Sequence, residues 1–498
     1  MAGRVLPSLP QYRKDGVTRR LCASVHLDEE FAREVDHRLT GDRLTALGLT
    51  LGINFVALAR HARAALLRRA ALDRQLAWLF GALLLSLLIA VWGLTAGHGS
   101  VALVGVYGPL GILGASWWLV RRAESRAWDA AQEVYHDPGK SEALAPPVEP
   151  EAEAWLQDHS LKRANVLPYA DAAALTNPFV GSGSKIKEVV WQPIDVSKPA
   201  DAPNGGKLTI RPFDAVDLHT YVAKQMEGIA GLEGLRAKNR LYVLGSNAYM
   251  LPELLPDRTA RPRPQIPRQF VQAGLQNPGA GMRTHLCLER VGEGGRIIVS
   301  MYLRAILSGP SLTWEVACYA IPPVHDRFAR VDRLPLAPFD RWRTLTRHAT
   351  SRTWPELRGA VGRIRDRSRS RRTAEKALTK LRRDVTEQHR LVDYGATDSL
   401  REWIGDWSQA GYTERIDSQD FLFRLQQGVL IATERFLKDH NVDTSSFDKA
   451  QANISTQTYN ISGDITGNSN FGNHGQINMN GQQGQGGSGQ GGAPQPPP

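Results

Sequence analysis

Cysteine is scarce in this sequence: Cys22, Cys287 and Cys318 are the only three in 498 residues. An odd, widely spaced set without CxxC spacing excludes a disulfide framework and a cysteine zinc site. It fits a reducing compartment for most of the chain. Motifs for catalysis and cofactors are missing as well. The thirteen histidines are scattered, and none forms HExxH. There is no GxSxG elbow and no GxxxxGK[ST] loop. "GSGSK", Gly181–Lys185, has the composition of a phosphate cradle without its spacing, and reads as a flexible loop. The expectation is no cofactor, no metal and no catalytic residue, although a site assembled from distant residues lies beyond motif reading. The opening "MAGRVLPSLPQYRKDGVTRR" lacks the apolar run of a secretory signal.

The most informative absence is charge. From Gln75 to Val120 there is no Asp, Glu, Lys or Arg. That length suits two membrane spans of ~20 residues each with a tight turn, at 76–95 and 101–120. Both should be helices, because a bilayer offers the backbone no water partner. Arg60, Arg63, Arg68, Arg69 and Arg74 precede the first span, Arg121, Arg122 and Arg126 follow the second, and the turn "TAGHGS" has no Lys or Arg. The positive-inside rule then puts both termini in the cytoplasm of a two-span protein of the bacterial plasma membrane. Trp78, Trp117 and Trp118 would mark the inner interface and Trp92 the outer one. In the second span Gly105, Gly108, Gly111 and Gly114 recur every third residue, with Ala115 beside them. They read as helix-packing positions, within the hairpin or between copies in a homo-oligomer.

What remains is soluble in character. The net charge of +11 and pI near 9.6 favour polyanionic partners. Residues 1–75 read as a cytoplasmic helical region. Asp28 is an N-cap, and a helix from about Leu44 to Ala71 leads into the first span. Residues 121–153 are a helix followed by a Pro-rich linker. Residues 154–350 form an α+β domain. Its core is a β-meander, "RTHLCLERV", "RIIVSMYLRAIL" and "LTWEVACYAI", alternating with period two between Gly-containing turns. Ile297, Val299, Met301, Leu303 and Ala305 share one face, as do Leu312, Trp314, Val316 and Cys318. "KLTIRPF" and "RLYVLG" are further strand candidates, and Asp214–Gly231 is a helix candidate.

Residues 351–446 contain an Arg-rich segment and a helical region. "RGAVGRIRDRSRSRR" has seven arginines in fifteen residues. Arg363, Arg365, Arg367, Arg369, Arg371 and Arg372 are the candidate contacts to anionic lipid or another polyanion. Nucleic acid is disfavoured, because few aromatics interleave for base stacking. A solvated basic loop or helix start explains the segment at least as well. Trp403 and Trp407 read as core anchors. Residues 447–498 are a low-complexity Asn/Gly/Gln-rich tail, read as disordered in the monomer. Ile461, Ile465, Phe471 and Ile477 punctuate it with β-formers, low charge and no proline, which makes stacking between copies a specific hypothesis.

"RRLCASVHLDEEFAREV", the apolar hairpin and "FLKDHNVDTSSFDKAQANISTQTYNISGDITG" resemble segments of uncharacterised membrane proteins of actinobacteria. That resemblance brings no catalytic residues with it. "GQINMNG", Gly475–Gly481, is similar to bacterial amyloid-signalling motifs but departs from their tighter V/I-Q-V/I-G pattern. Three functions remain open. The first is a non-enzymatic membrane protein presenting a cytoplasmic interaction module, its protein partner unspecified. The second is a membrane effector of a defence or signalling system that oligomerises and perturbs the bilayer. The third is a membrane-associated enzyme without a recognisable motif.

Overall fold

The computed structural model describes residues 15–447, apart from 42, 43, 98, 138–140, 143, 149, 159, 160, 230 and 446. The tail positions Ile461, Ile465, Phe471 and Ile477 lie outside the described residues.

Two short helices, α1 (Gly16–Leu27) and α2 (Glu29–Asp36), open the described chain. The Asp28 carboxylate caps α2 by accepting from the Glu30 and Phe31 amides at 3.0 and 3.2 Å. Helix does not begin at Leu44. Gly48 packs so tightly on the Asp398 carbonyl that a Cβ would overlap it, and Gly52 has φ 72°. Residues 44–54 therefore run as irregular chain, with a turn closed by Ile53 N–H on the Thr50 carbonyl at 3.2 Å. Helix α3 (Phe55–Thr95) starts only once the Asn54 side chain caps the Ala57 amide at 3.3 Å.

Helix α4 (Gly99–His136) returns antiparallel along α3. Gly105 abuts Ala90, Gly108 abuts Ser86, and Arg68 reaches the Arg126 carbonyl at 3.3 Å. By length and composition α3 is apolar enough to cross a membrane, and it is the one such helix among the described residues. Helix α5 (Pro150–Asp158) follows, tied to α3 by the Arg60–Glu153 ion pair.

The rest is α+β around a mixed sheet of seven strands. These are β1 (Val166–Tyr169), β2 (Ser184–Val190), β3 (Ile194–Asp195), β4 (Arg236–Leu244), β5 (Met282–Gly292), β6 (Ile297–Ser308) and β7 (Ser311–Ile321). The order is β1-β4-β5-β6-β7-β2, with β3 also on β7. Strand β1 is parallel to β4, and the remaining pairings are antiparallel. The β5–β6–β7 meander carries Met301 opposite Cys318 and Leu303 opposite Val316. These residues and Trp314 pack under α6 (Ala215–Met226) and α10 (Tyr412–Asp439). Asp214 and Asp217 form a capping box at the start of α6. The C-terminal helical region is thus part of the sheet's own core, through Leu422, Leu425, Val429 and Phe436.

"KLTIRPF" is not a strand. Lys207 makes a single bridge to Asp201, and the segment then runs as irregular chain into Asp214. Its amides are taken by loop carbonyls, as in Leu208 N–H to the Ala200 carbonyl at 2.9 Å and Arg211 N–H to that of His440 at 3.0 Å.

The opposite sheet face is closed by Phe179, which stacks on Tyr302 at 4.2 Å between ring centres, and by Leu49. Cys287 lies on this face and Cys318 on the other, both buried as free thiols, as is Cys22. Helix α7 (Arg268–Gln276) packs on β4 and β5 through Leu241 and Thr284. Helix α8 (Pro338–Glu387), 50 residues long, runs without a break through residue 350 and the whole Arg-rich segment. Short α9 (Leu400–Trp403) precedes α10.

Candidate membrane interface

The hairpin presents its apolar side chains outward. Leu85, Leu88, Val91, Leu94 and Leu110 are all more than half exposed, and Trp78 is 82% exposed. Apolar surface on this scale needs a cover other than water. The inner seam is built from small residues. A Cβ at Gly105 would overlap the Ala90 backbone, and one at Gly108 would overlap Ser86 Oγ. Gly111 and Gly114 have nothing within 4 Å of a built Cβ, and Ala115 is exposed beside them. Steps of three rotate by about 60° each on a 3.6-residue helix, so the four glycines leave the seam partway along.

Pro109 has no N–H to give the Gly105 carbonyl four residues back. Ser86 Oγ donates to that carbonyl at 3.4 Å. A hydroxyl from the facing helix thus supplies what the proline removed, as an apolar environment requires.

Helix α8 is clamped across the hairpin where the charge-free stretch begins. Asp73 on α3 is fully buried, accepts from Arg363 at 2.7 Å and is ion-paired with Arg367 at 2.6 Å. Glu356 joins the network through Arg363 at 2.8 Å and Arg69 at 2.5 Å, and Arg69 also holds Glu29 of α2 at 2.8 Å. Arg341 pairs with Asp129 of α4, and Trp117 Nε1 donates to Thr350 Oγ1 at 3.2 Å. Ala349, Leu357 and Ala360 of α8 share one apolar cluster with Leu72, Leu76, Leu83 and Val120. Farther along, Leu378 and Leu381 pack on the sheet domain. Arg363 and Arg367 therefore turn inward onto carboxylates. Arg365, Arg369 and Arg372 point out, and Arg371 is exposed and paired with Glu375 at 2.8 Å. Sequence reading missed this division, because Asp73 is 290 residues away from Arg363.

Behind the clamp lies a buried histidine chain. Arg68 donates to His26 Nδ1 at 2.6 Å, His26 Nε2 lies 3.0 Å from His61 Nδ1, and His61 Nε2 lies 2.9 Å from the Ser141 carbonyl. With both rings neutral and protonated on Nε2, each contact has one donor and one acceptor. Burial, then Arg68 and the neighbouring ring, hold His26 far below its usual range. Burial lowers His61 as well.

The "GSGSK" loop is not free for a phosphate. The Gly181 and Gly183 amides both donate to Glu402 Oε1, at 3.0 and 2.8 Å, and strand β2 begins at Ser184. Burial pushes the Glu402 carboxyl up, against the two amides that hold it down. Trp403 lies at the surface, with the Arg38 and Arg327 guanidinium carbons 4.9 and 4.8 Å from its ring centre. Trp407 packs partly buried on the sheet core and donates to Ser184 at 3.0 Å. Among the described residues no group of three or more His, Cys, Asp or Glu is placed to hold a metal ion.

Comparison with curated proteins and with solved structures found no match. The family match begins at the end of β2 and ends within the tail, so the hairpin and the edge strand β1 lie before it. Residues 190–477, more than half of the chain, match the AbeC-like domain, and the chain belongs to that family.

Proposed function

We propose that this protein is a two-span membrane protein of the actinobacterial type it resembles, anchored in the plasma membrane with both termini in the cytoplasm. On this reading the α3/α4 hairpin is the anchor, and the AbeC-like domain acts as an interaction module through protein contacts. The observation that carries the proposal is the outward apolar surface of a hairpin without charge from Gln75 to Val120. Its arginine-rich flanks and uncharged turn support the orientation. Helix α8 supports the coupling of anchor to module, since one rigid element packs on both.

Single cysteines at Thr95 and Ser370 test the topology. The native thiols are buried and stay silent to a membrane-impermeant maleimide. Thr95→Cys should be labelled in spheroplasts, and Ser370→Cys only after permeabilisation. Labelling of both from one side, or release of the chain by carbonate, would overturn the reading.

A second reading, an effector that self-associates in the bilayer, is favoured by one observation. Gly111, Gly114 and Ala115 form an open small-residue face on α4, of the kind that lets helices approach closely.

A further inference from the structure

Helix α8 carries a second charged face that Asp73 and Glu356 do not use. At 3.6 residues per turn, Arg343, Arg347 and Arg358 fall in one sector about 100° wide. Arg365, Arg369 and Arg372 fall in the same sector, which continues through Lys376, Lys380 and Arg383. All nine are exposed, and Arg383 alone among them has an ion-pair partner among the described residues, Glu387 at 2.7 Å. No Asp or Glu enters the sector between residues 343 and 383. Trp354 stands within it, 52% exposed. The stripe is about 60 Å long.

The hairpin contacts show which edge of the stripe lies nearer the spans. Thr350 borders the stripe, and its partner Trp117 belongs to the second span. Arg341, Glu356 and Arg363 lie on the other side of α8. Their partners Asp129, Arg69 and Asp73 all lie beyond the span ends, on the cytoplasmic side in the proposed topology. Ala349 and Ala360, which share an apolar cluster with the hairpin, lie on the far side of α8 from the stripe. The stripe thus faces away from the hairpin, with its Thr350 edge nearer the second span.

We infer that this face of α8 lies on the inner leaflet and binds the acidic headgroups of its phospholipids. The inference rests on the two-span reading above. Charge of one sign, a tryptophan among the cations and continuity with a spanning hairpin are what an interfacial helix needs. One aromatic in nine cations gives nucleic acid no stacking platform. The candidate set changes accordingly. Arg363 and Arg367 hold the helix to the hairpin, and the lipid-facing positions extend from Arg343 to Arg383.

The test uses the full chain in nanodiscs of phosphatidylcholine alone or with 30% phosphatidylglycerol. Spin labels go at Arg347→Cys, Arg365→Cys and Arg372→Cys, with Ser370→Cys as the control on the opposite, exposed side. In the anionic discs the three stripe labels should lose at least about fivefold in collision with a water-soluble relaxant, and raised salt should reverse the loss. Ser370→Cys should stay aqueous in both discs. The triple variant Arg365→Glu, Arg369→Glu, Arg372→Glu should abolish the protection at Arg347→Cys while the chain stays carbonate-resistant. Stripe labels as aqueous as the control in anionic discs would overturn the inference and leave the anchor reading intact. Protection that appears only on adding duplex DNA or an acidic peptide would overturn it too. Failure of the chain to enter the discs at all would count against the anchor itself.

Discussion

Arg240 and Glu289 lie inside the sheet domain with side chains 1% and 2% exposed, 2.7 Å apart. Tyr242 accepts a second bond from Arg240 at 3.2 Å and lies 3.5 Å from Cys287 Sγ. An ion pair this deep gains little over apolar side chains of the same shape, but removing one partner strands a charge. Glu289→Gln should therefore cost roughly 3–5 kcal/mol in chemical denaturation of the detergent-solubilised chain, and Arg240→Met with Glu289→Leu should recover most of it. An unchanged midpoint for the single variant would mean that the charge is not buried. Neither residue was legible as one of a pair in the sequence. The alternation of β4 and β5 shows which positions share a face, but register decides which of them meet, and here Glu289 stands opposite Arg236 while Arg240 stands opposite His285.

At the scale of elements, the glycines of α4 divide into two kinds. Gly105→Ala should destabilise the hairpin by about 1–3 kcal/mol, because its methyl meets the Ala90 backbone. Gly111→Ala meets nothing and should stabilise α4 by up to about 1 kcal/mol through helix propensity. Titration of both variants with a denaturing detergent measures the difference in sign. Equal effects would show that the seam does not run through Gly105. Helix α8 makes the same point about faces. Its sequence reads as one basic segment, for a polyanion or for water, but its Arg363/Arg367 side is occupied by a carboxylate from α3 and its Arg365/Arg369 side is not. Periodicity separates the two faces, and only the fold says which one is taken.

At the scale of the whole molecule, four histidines, three buried and His285 partly buried, make stability depend on pH. His26 and His61 belong to the chain behind the hairpin. His219 is held down to about 4 and His285 to about 3, in both cases chiefly by burial. Each folded value lies below the unfolded 6.5, so between the two the unfolded chain binds more protons. The stability they contribute is complete above about pH 6.5 and is lost as pH falls, by up to about 1.4 kcal/mol per pH unit for each histidine. Thermal denaturation of the detergent-solubilised protein should show a falling midpoint from pH 7.5 to 5, with a shallower slope for His219→Asn. A flat profile would mean that these rings are not buried in the neutral form. The acid-labile groups lie both at the hairpin base and in the sheet, and α8 packs on both regions.

The sequence by itself determined the local elements whose cause is local. A charge-free run becomes an apolar helix because hydropathy needs no partner to be read. Period-two alternation becomes the β5–β6–β7 meander because the pleat repeats every two residues. Asp28 and Asp214 stand at helix starts because a cap acts within three residues. Tertiary structure decided whatever depends on a distant neighbour. It filled the Gly181 and Gly183 amides with Glu402, kept residues 44–54 out of helix beside Asp398, left "KLTIRPF" without a strand to pair with, and turned two of the arginines onto Asp73. The physical reason is common to all four. A hydrogen bond, an ion pair or a steric contact belongs to two groups, and sequence spacing gives the distance between them along the chain, not through space.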